Sequence, residues 1–147
     1  MDIKGYALRL LKYRTRSEEE LRRRLKNKGF KDTEIENLIF EFKEKGLVDD
    51  IKFSYLFAYD KLTIQKKGPK LIEWELLKLG VKKEIVDEAI SKVLQEVDEE
   101  KIIREILMKE RIDLENGKEK RRLYSKLTKR GFNYYSIESV LSSIFDN

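Results

Sequence analysis

Apolar residues along the chain recur at helical spacing, and one short phrase punctuates them three times. Leu25-x-x-x-Gly29, Leu76-x-x-x-Gly80 and Leu127-x-x-x-Gly131 stand 51 residues apart, and no other Leu-x-x-x-Gly occurs. The same offset aligns Leu21 with Ile72 and Leu123, Ile35 with Val86 and Ile137, and Phe42 with Val93 and Ile144. Self-similarity at a fixed period is the mark of stacked units that cannot bury their apolar faces alone. The pattern predicts an all-α protein of three tandem three-helix repeats, residues 1–48, 49–97 and 98–147, stacked into an elongated helical array.

Within the first repeat, Ile3, Ala7, Leu10 and Leu11 predict a helix that stops near Arg14-Thr15-Arg16. Ser17, with Glu20 three residues on, is a capping pattern. It opens a second helix with Leu21 and Leu25 inward, which Gly29 ends in the left-handed conformation. Asp32 or Thr33 is expected to cap a third helix with Ile35, Leu38, Ile39 and Phe42 inward, closed by Gly46.

The second repeat is expected to open with Asp50 as cap. Its first helix would carry Phe53, Leu56 and Phe57 on one face, with Tyr55 and Tyr59 on its other sides. Pro69 suits the first position of the central helix. There Ile72, Leu76 and Leu79 continue the repeated stripe, while Leu71, Trp74 and Leu77 add a second. A helix apolar on two sides is either sandwiched between neighbouring units or presents a partner patch anchored by Trp74. In the third repeat Asp98 caps a helix bearing Ile102, Ile103, Ile106 and Leu107, and Asp113 to Lys118 reads as an exposed turn.

Composition narrows the chemistry. The chain has no Cys and no His, which removes thiolate metal sites, disulfides and the commonest general base. No Gly-rich phosphate loop is present, and paired acids such as Glu99-Glu100 lie at helix starts, where they complement the helix dipole. Neither a catalytic site nor a cofactor or metal is expected. No apolar stretch is long enough to cross a bilayer, so the expectation is a cytoplasmic protein with no membrane partner. A monomer is expected, because the repeats supply one another's packing.

Charge is unevenly placed. The net +5 arises from 33 basic and 28 acidic residues. Arg22, Arg23, Arg24, Lys26 and Lys28 fall outside the inward stripe of their helix, joined by Arg14 and Arg16 on the preceding loop. Lys61, Lys66, Lys67 and Lys70 surround Gly68-Pro69 with no acid between Lys61 and Lys70. From Lys118 to Phe132, Arg121, Arg122, Lys126, Lys129 and Arg130 are among seven cations set against the single acid Glu119. One such run reads as a solvated surface, but matching runs in equivalent helices favour anion binding, either to nucleic acid or to an acidic protein groove. A helix-turn-helix-like nucleic-acid-binding protein is the alternative for Leu21 to Phe42. Against it, Asp32, Glu34, Glu36, Glu41 and Glu44 would turn towards phosphates.

Longer motifs point further. They are Ala7-Leu8-Arg9-Leu10-Leu11 followed by Arg14, Arg16-Ser17 and Glu20-Leu21; Gly46-Leu47-Val48-Asp49-Asp50 then Phe53; and Lys67-Gly68 through Glu75-Leu76 to Gly80-Val81. In these the chain resembles the RecX regulators of the RecA recombinase over essentially its whole length. Ser54 stands where that family usually has Ala, and Lys61 where Arg is common. The resemblance implies a non-catalytic array that binds in the helical groove of RecA filaments on single-stranded DNA. It further implies modulation, usually inhibition, of ATP hydrolysis, strand exchange and coprotease activity in DNA repair and the SOS response. The residues expected to contact acidic RecA surfaces, DNA phosphates or both are Arg14, Arg16, Arg22, Arg23, Arg24, Lys26, Lys66, Lys67, Lys70, Arg121, Arg122, Lys126, Lys129 and Arg130.

Overall fold

The computed structural model describes residues 2–146, and among these the chain forms nine α-helices and no strand. They are α1 (Ile3–Tyr13), α2 (Glu18–Lys28), α3 (Asp32–Glu44), α4 (Asp50–Thr63), α5 (Pro69–Lys78), α6 (Lys83–Glu96), α7 (Glu99–Met108), α8 (Glu119–Lys129) and α9 (Tyr134–Phe145). α1, α2 and α3 pack on one another, α4, α5 and α6 do the same, and α9 packs on both α7 and α8. We propose that these three triplets are the repeat units, with the boundaries predicted above.

The recurring phrase has a physical meaning. In each copy the glycine lies at positive φ, +105° at Gly29, +84° at Gly80 and +97° at Gly131. The carbonyl of the phrase's leucine accepts the amide of the residue just past the glycine: Phe30 to Leu25 and Val81 to Leu76 at 3.2 Å, and Phe132 to Leu127 at 3.2 Å. This is the Schellman stop, in which the left-handed residue turns the chain back and the next apolar side chain covers the last helical turn. Val81 and Phe132 are accordingly buried, and Phe30 packs against the first core.

Caps follow the prediction at Ser17 and Asp98, whose side chains accept from Glu20 N at 3.1 Å and Glu100 N at 3.0 Å. Two expectations need correction. α3 begins at Asp32, and the residue before it, Lys31, makes no side-chain cap. α4 is capped by Asp49, which accepts from Ile51 N and Lys52 N, so Asp50 is released for another role. The inward face of α4 also differs: Phe53, Ser54, Ala58 and Leu62 are buried, and Leu56 is 45% exposed. α4 is apolar nearly all round, so spacing alone did not identify its buried face.

Two cores result. Ala7, Leu21, Leu25, Ile35, Phe42 and their neighbours form one within α1–α3, while α4–α9 share a single continuous core from Phe53 to Leu141. The joints between triplets repeat the 51-residue offset. In the first, Ser17 Oγ donates to Leu79 O at 2.7 Å, and a Cβ on Gly80 would overlap the Glu19 side chain. In the second, Gly68 N donates to Arg130 O at 2.7 Å and Lys70 N to Gly131 O at 2.9 Å. A Cβ on Gly68 would overlap the Gly131 and Phe132 backbone, and one on Gly131 would overlap Leu71. Each joint therefore sets the N-terminus of one central helix against the C-terminus of the next, with the helix dipoles aligned favourably. Gly68→Ala is expected to cost about 3 kcal/mol in urea denaturation, because backbone cannot move aside for the new methyl. Gly117→Ala, in open space on the 113–118 turn, is expected to change stability by less than about 0.5 kcal/mol in the same urea denaturation.

Candidate functional site: a cationic groove across two joints

Two depressions lie at the joints and meet at Gln65, which lines both. The first, about 730 Å³, lies between the loop ahead of α2 and helices α4 and α5. Phe53, Leu56, Phe57 and Trp74 supply apolar surface, and Arg14, Arg23, Lys61 and Lys78 are its cations, with Asp60 and Glu75 as acids. The second, about 370 Å³, is lined by Lys67, Lys126, Lys129 and Arg130 beside Leu71, with no acid. An ion pair at 2.6 Å from Lys67 to Glu75 bridges the two. Together they form one groove with an apolar floor and a predominantly cationic rim.

Local structure places these side chains. The extended backbone at Arg14 ends α1 and leaves its guanidinium to pair with Glu20 and donate to Thr15 O at 3.0 Å. Arg23 reaches from α2 across the first joint to Lys78 O at 3.0 Å. Lys61 stands over the Phe57 ring at 5.0 Å and Lys78 over the Trp74 ring at 4.7 Å, both at i,i+4 spacing along their helices. Lys126 pairs with Glu110. No ion pair or side-chain hydrogen bond holds Lys129 among the described residues.

The family model described as "RecX, first three-helix domain" matches residues 4–40. Regulatory protein RecX of Thermotoga sp. (strain RQ2) is 42% identical over 140 residues, which cover 95% of this chain and 83% of that protein. This chain belongs to the RecX family. Regulatory protein RecX of Caldanaerobacter subterraneus subsp. tengcongensis is 30% identical over 141 residues, covering 96% of this chain and 70% of its own. A crystal structure of RecX from Lactobacillus salivarius superposes with a TM-score of 0.83 at 19% identity, covering 97% of this chain and 94% of that one, and so shares the fold.

Within this RecX-family fold the predicted cations divide. Arg14, Arg23, Lys67, Lys126, Lys129 and Arg130 line the groove, as do Leu71 and Trp74 of the predicted apolar stripe. Leu77 is 39% exposed and lines neither depression. Arg24, Lys26, Lys70, Arg121 and Arg122 are exposed outside the groove, Arg122 being paired with Glu119. Lys66 adopts a left-handed backbone (φ +54°) and pairs with Glu105 at 2.8 Å.

Three expectations of a solvent-facing cation are corrected. Arg16 is buried, 5% exposed, donating to Leu10 O at 3.3 Å and to Glu20 at 2.8 Å. Arg130 lines the groove but spends its guanidinium on Lys66 O at 2.7 Å and Gln65 O at 2.9 Å, tying the second joint. Arg22 lies outside the groove, in a mixed-charge depression, gripped by Glu18 at 3.1 Å, Glu19 at 2.6 Å and Glu36 at 2.7 Å. Charge density in a sequence does not distinguish a cation that faces solvent from one that satisfies a neighbour. Lys78 is a groove residue the sequence reading did not single out, and an aromatic followed four positions on by Lys is the signal that marks it; Leu56 was read only as part of an apolar helix face.

The Glu99 and Asp50 carboxylates are spent in structure. Glu99 accepts from Asn133 N at 2.8 Å, Asn133 Nδ2 at 2.9 Å and Ser136 Oγ at 3.0 Å, closing the start of α9. Asp50 accepts Glu18 N at 2.8 Å and so caps α2 from the next triplet. Among the described residues no group of three or more acids could hold a metal ion.

The ion pairs between α2 and α3, beside the first joint, have a titration signature. Burial pushes Glu18 upward, but its ion pairs with Lys43 and Arg22 outweigh it and leave the carboxyl below its ordinary 4.5. Hydrogen bonding from Arg22 holds Glu36 low as well. Burial raises Asp50 above 3.8, so its protonation in acid works the other way. Stability from Glu18 and Glu36 is present above pH 4.5 and is lost as pH falls through their lowered values. The melting temperature is therefore expected to fall in acid below that pH. Glu18→Gln/Glu36→Gln is expected to melt lower at neutral pH and to show a flatter acid limb in thermal circular dichroism.

Proposed function

We propose that this chain regulates RecA by binding the RecA filament on single-stranded DNA through the cationic groove, inhibiting its ATPase, recombinase and coprotease activities. Membership of a family whose members are called regulatory proteins supports a binder rather than a catalyst. The observation that carries the reading is the groove itself. It runs across both joints, so one rigid face draws cations from all three triplets: Arg14 and Arg23, then Lys61, Lys67 and Lys78, then Lys126 and Lys129. A filament repeats its surface along an axis, and an extended anion-binding face can engage more than one protomer or a run of phosphates. Arg24, Lys26, Lys66, Lys70, Arg121 and Arg122 add to the positive field around it. The protein acts as a cytoplasmic monomer in this reading, and no described helix is long and apolar enough to cross a membrane.

Helix-turn-helix reading of DNA by α3 is disfavoured, because that helix exposes Glu34 and Glu44, whose carboxylates no ion pair compensates among the described residues and which would meet phosphates. The test is ATP hydrolysis by the cognate RecA on single-stranded DNA, titrated with this protein while its binding to the same bare DNA is followed. Inhibition is expected at concentrations that leave bare DNA little occupied, and it should weaken with added salt. Lys129→Glu should raise the half-inhibitory concentration about tenfold, the effect of losing ~1.4 kcal/mol. Lys31→Glu, the same charge change outside the groove, should leave it within about threefold. No inhibition together with tight DNA binding would make the protein a free-standing nucleic-acid binder.

A further inference from the structure

The Trp74 half of the groove differs in kind from the half at α8. Its floor is aromatic and aliphatic, with Trp74 56% and Leu56 45% exposed and lining the same depression. Its rim carries four cations against two acids, and one of those acids, Glu75, is already paired with Lys67.

We propose that this half of the groove binds an acidic polypeptide segment that inserts a bulky apolar side chain beside Trp74. The inference rests on reading the groove as the partner-binding face, and it narrows the chemistry of the partner there. Net positive charge around an apolar floor is complementary to a segment with carboxylates flanking an aliphatic or aromatic anchor. The ring contacts decide against nucleic acid. Strand binding without sequence preference needs aromatic faces free for bases to stack on. Here Lys78 lies over the Trp74 ring and Lys61 over the Phe57 ring. A base stacking on either ring from that side would have to displace an ammonium group, whereas a carboxylate meets the same ammonium directly. Leu56 completes the floor with aliphatic surface, which packs against an apolar side chain and offers a base nothing to stack on.

Trp74 is the single tryptophan of the chain, so its emission reports on this site alone. The probe is a displayed library of random 12-residue peptides, selected on the whole protein and counter-selected on Lys61→Glu/Lys78→Glu, whose fold is checked by circular dichroism. Recovered peptides are expected to carry net negative charge with at least one bulky apolar residue. They should shift Trp74 emission to the blue and bind the charge-reversed variant at least about tenfold more weakly. Three results would overturn the proposal: no peptide that discriminates between the two proteins, discriminating peptides that are neutral or basic, or a Trp74 response to oligothymidylate at lower concentration than to any recovered peptide. The last would give the site to nucleic acid. Because RecA is absent from this selection, a chain that recovers acidic peptides yet leaves the RecA ATPase unchanged would refute the filament reading and leave the peptide site standing.

Discussion

At Gly68 and Gly131 two chain segments come so close that no side chain fits between them, and the amides of Gly68 and Lys70 at the start of α5 donate to the carbonyls of Arg130 and Gly131 just past α8. Helix ends leave such backbone groups without partners inside the helix. Pairing them across the joint closes both ends at once and fixes the second and third triplets into one core. The first joint uses the same register with different chemistry, since Ser17 and Glu19 stand where Gly68 and Lys70 stand one period later. There the packing is polar, and the first triplet keeps a separate core.

The joints also decide which cations are available. Arg130 is drawn into the second joint, Arg22 is held by three acids of its own triplet, and Arg16 is buried on the loop that leads into α2. Of the rest, Arg14, Arg23, Lys61, Lys67, Lys78, Lys126 and Lys129 lie where the loop after α4, the exposed side of α5 and the end of α8 border the same groove. The second joint holds this surface by backbone contacts and the first through Ser17 and Arg23, so the row of charge is preorganised, which lowers the entropic cost of binding at such a face.

Much of this was legible in the chain. The Leu-x-x-x-Gly phrase reports helix stops because a left-handed residue followed by an apolar one is a local requirement, readable without tertiary structure. Ser17 and Asp98 were readable as caps for the same reason. Asp49 and Asp50 were not separable by sequence, because both are good caps and only the neighbouring α2 amide decides which is used elsewhere. The face of α4 failed because its buried stripe, Ser54, Ala58 and Leu62 at i, i+4 and i+8, begins with a polar residue, while Phe53, Leu56 and Phe57 offer a bulkier apolar stripe at i, i+3 and i+4. Trp74 had two readings, and the fold leaves its ring exposed while Leu71 is half-covered against Gly131. The groove itself joins residues more than 100 positions apart, from Arg14 to Lys129, and no local pattern encodes that meeting.

The central claim is that the groove is the face presented to the partner. Hydrogen–deuterium exchange of this chain, alone and with RecA filaments formed on single-stranded DNA, tests it most directly. The account predicts slowed exchange in the segments around Lys61 to Leu71 and Lys126 to Arg130, with α3 unchanged. Protection confined to α3 or α6, with the groove segments exchanging as in the free protein, would contradict it.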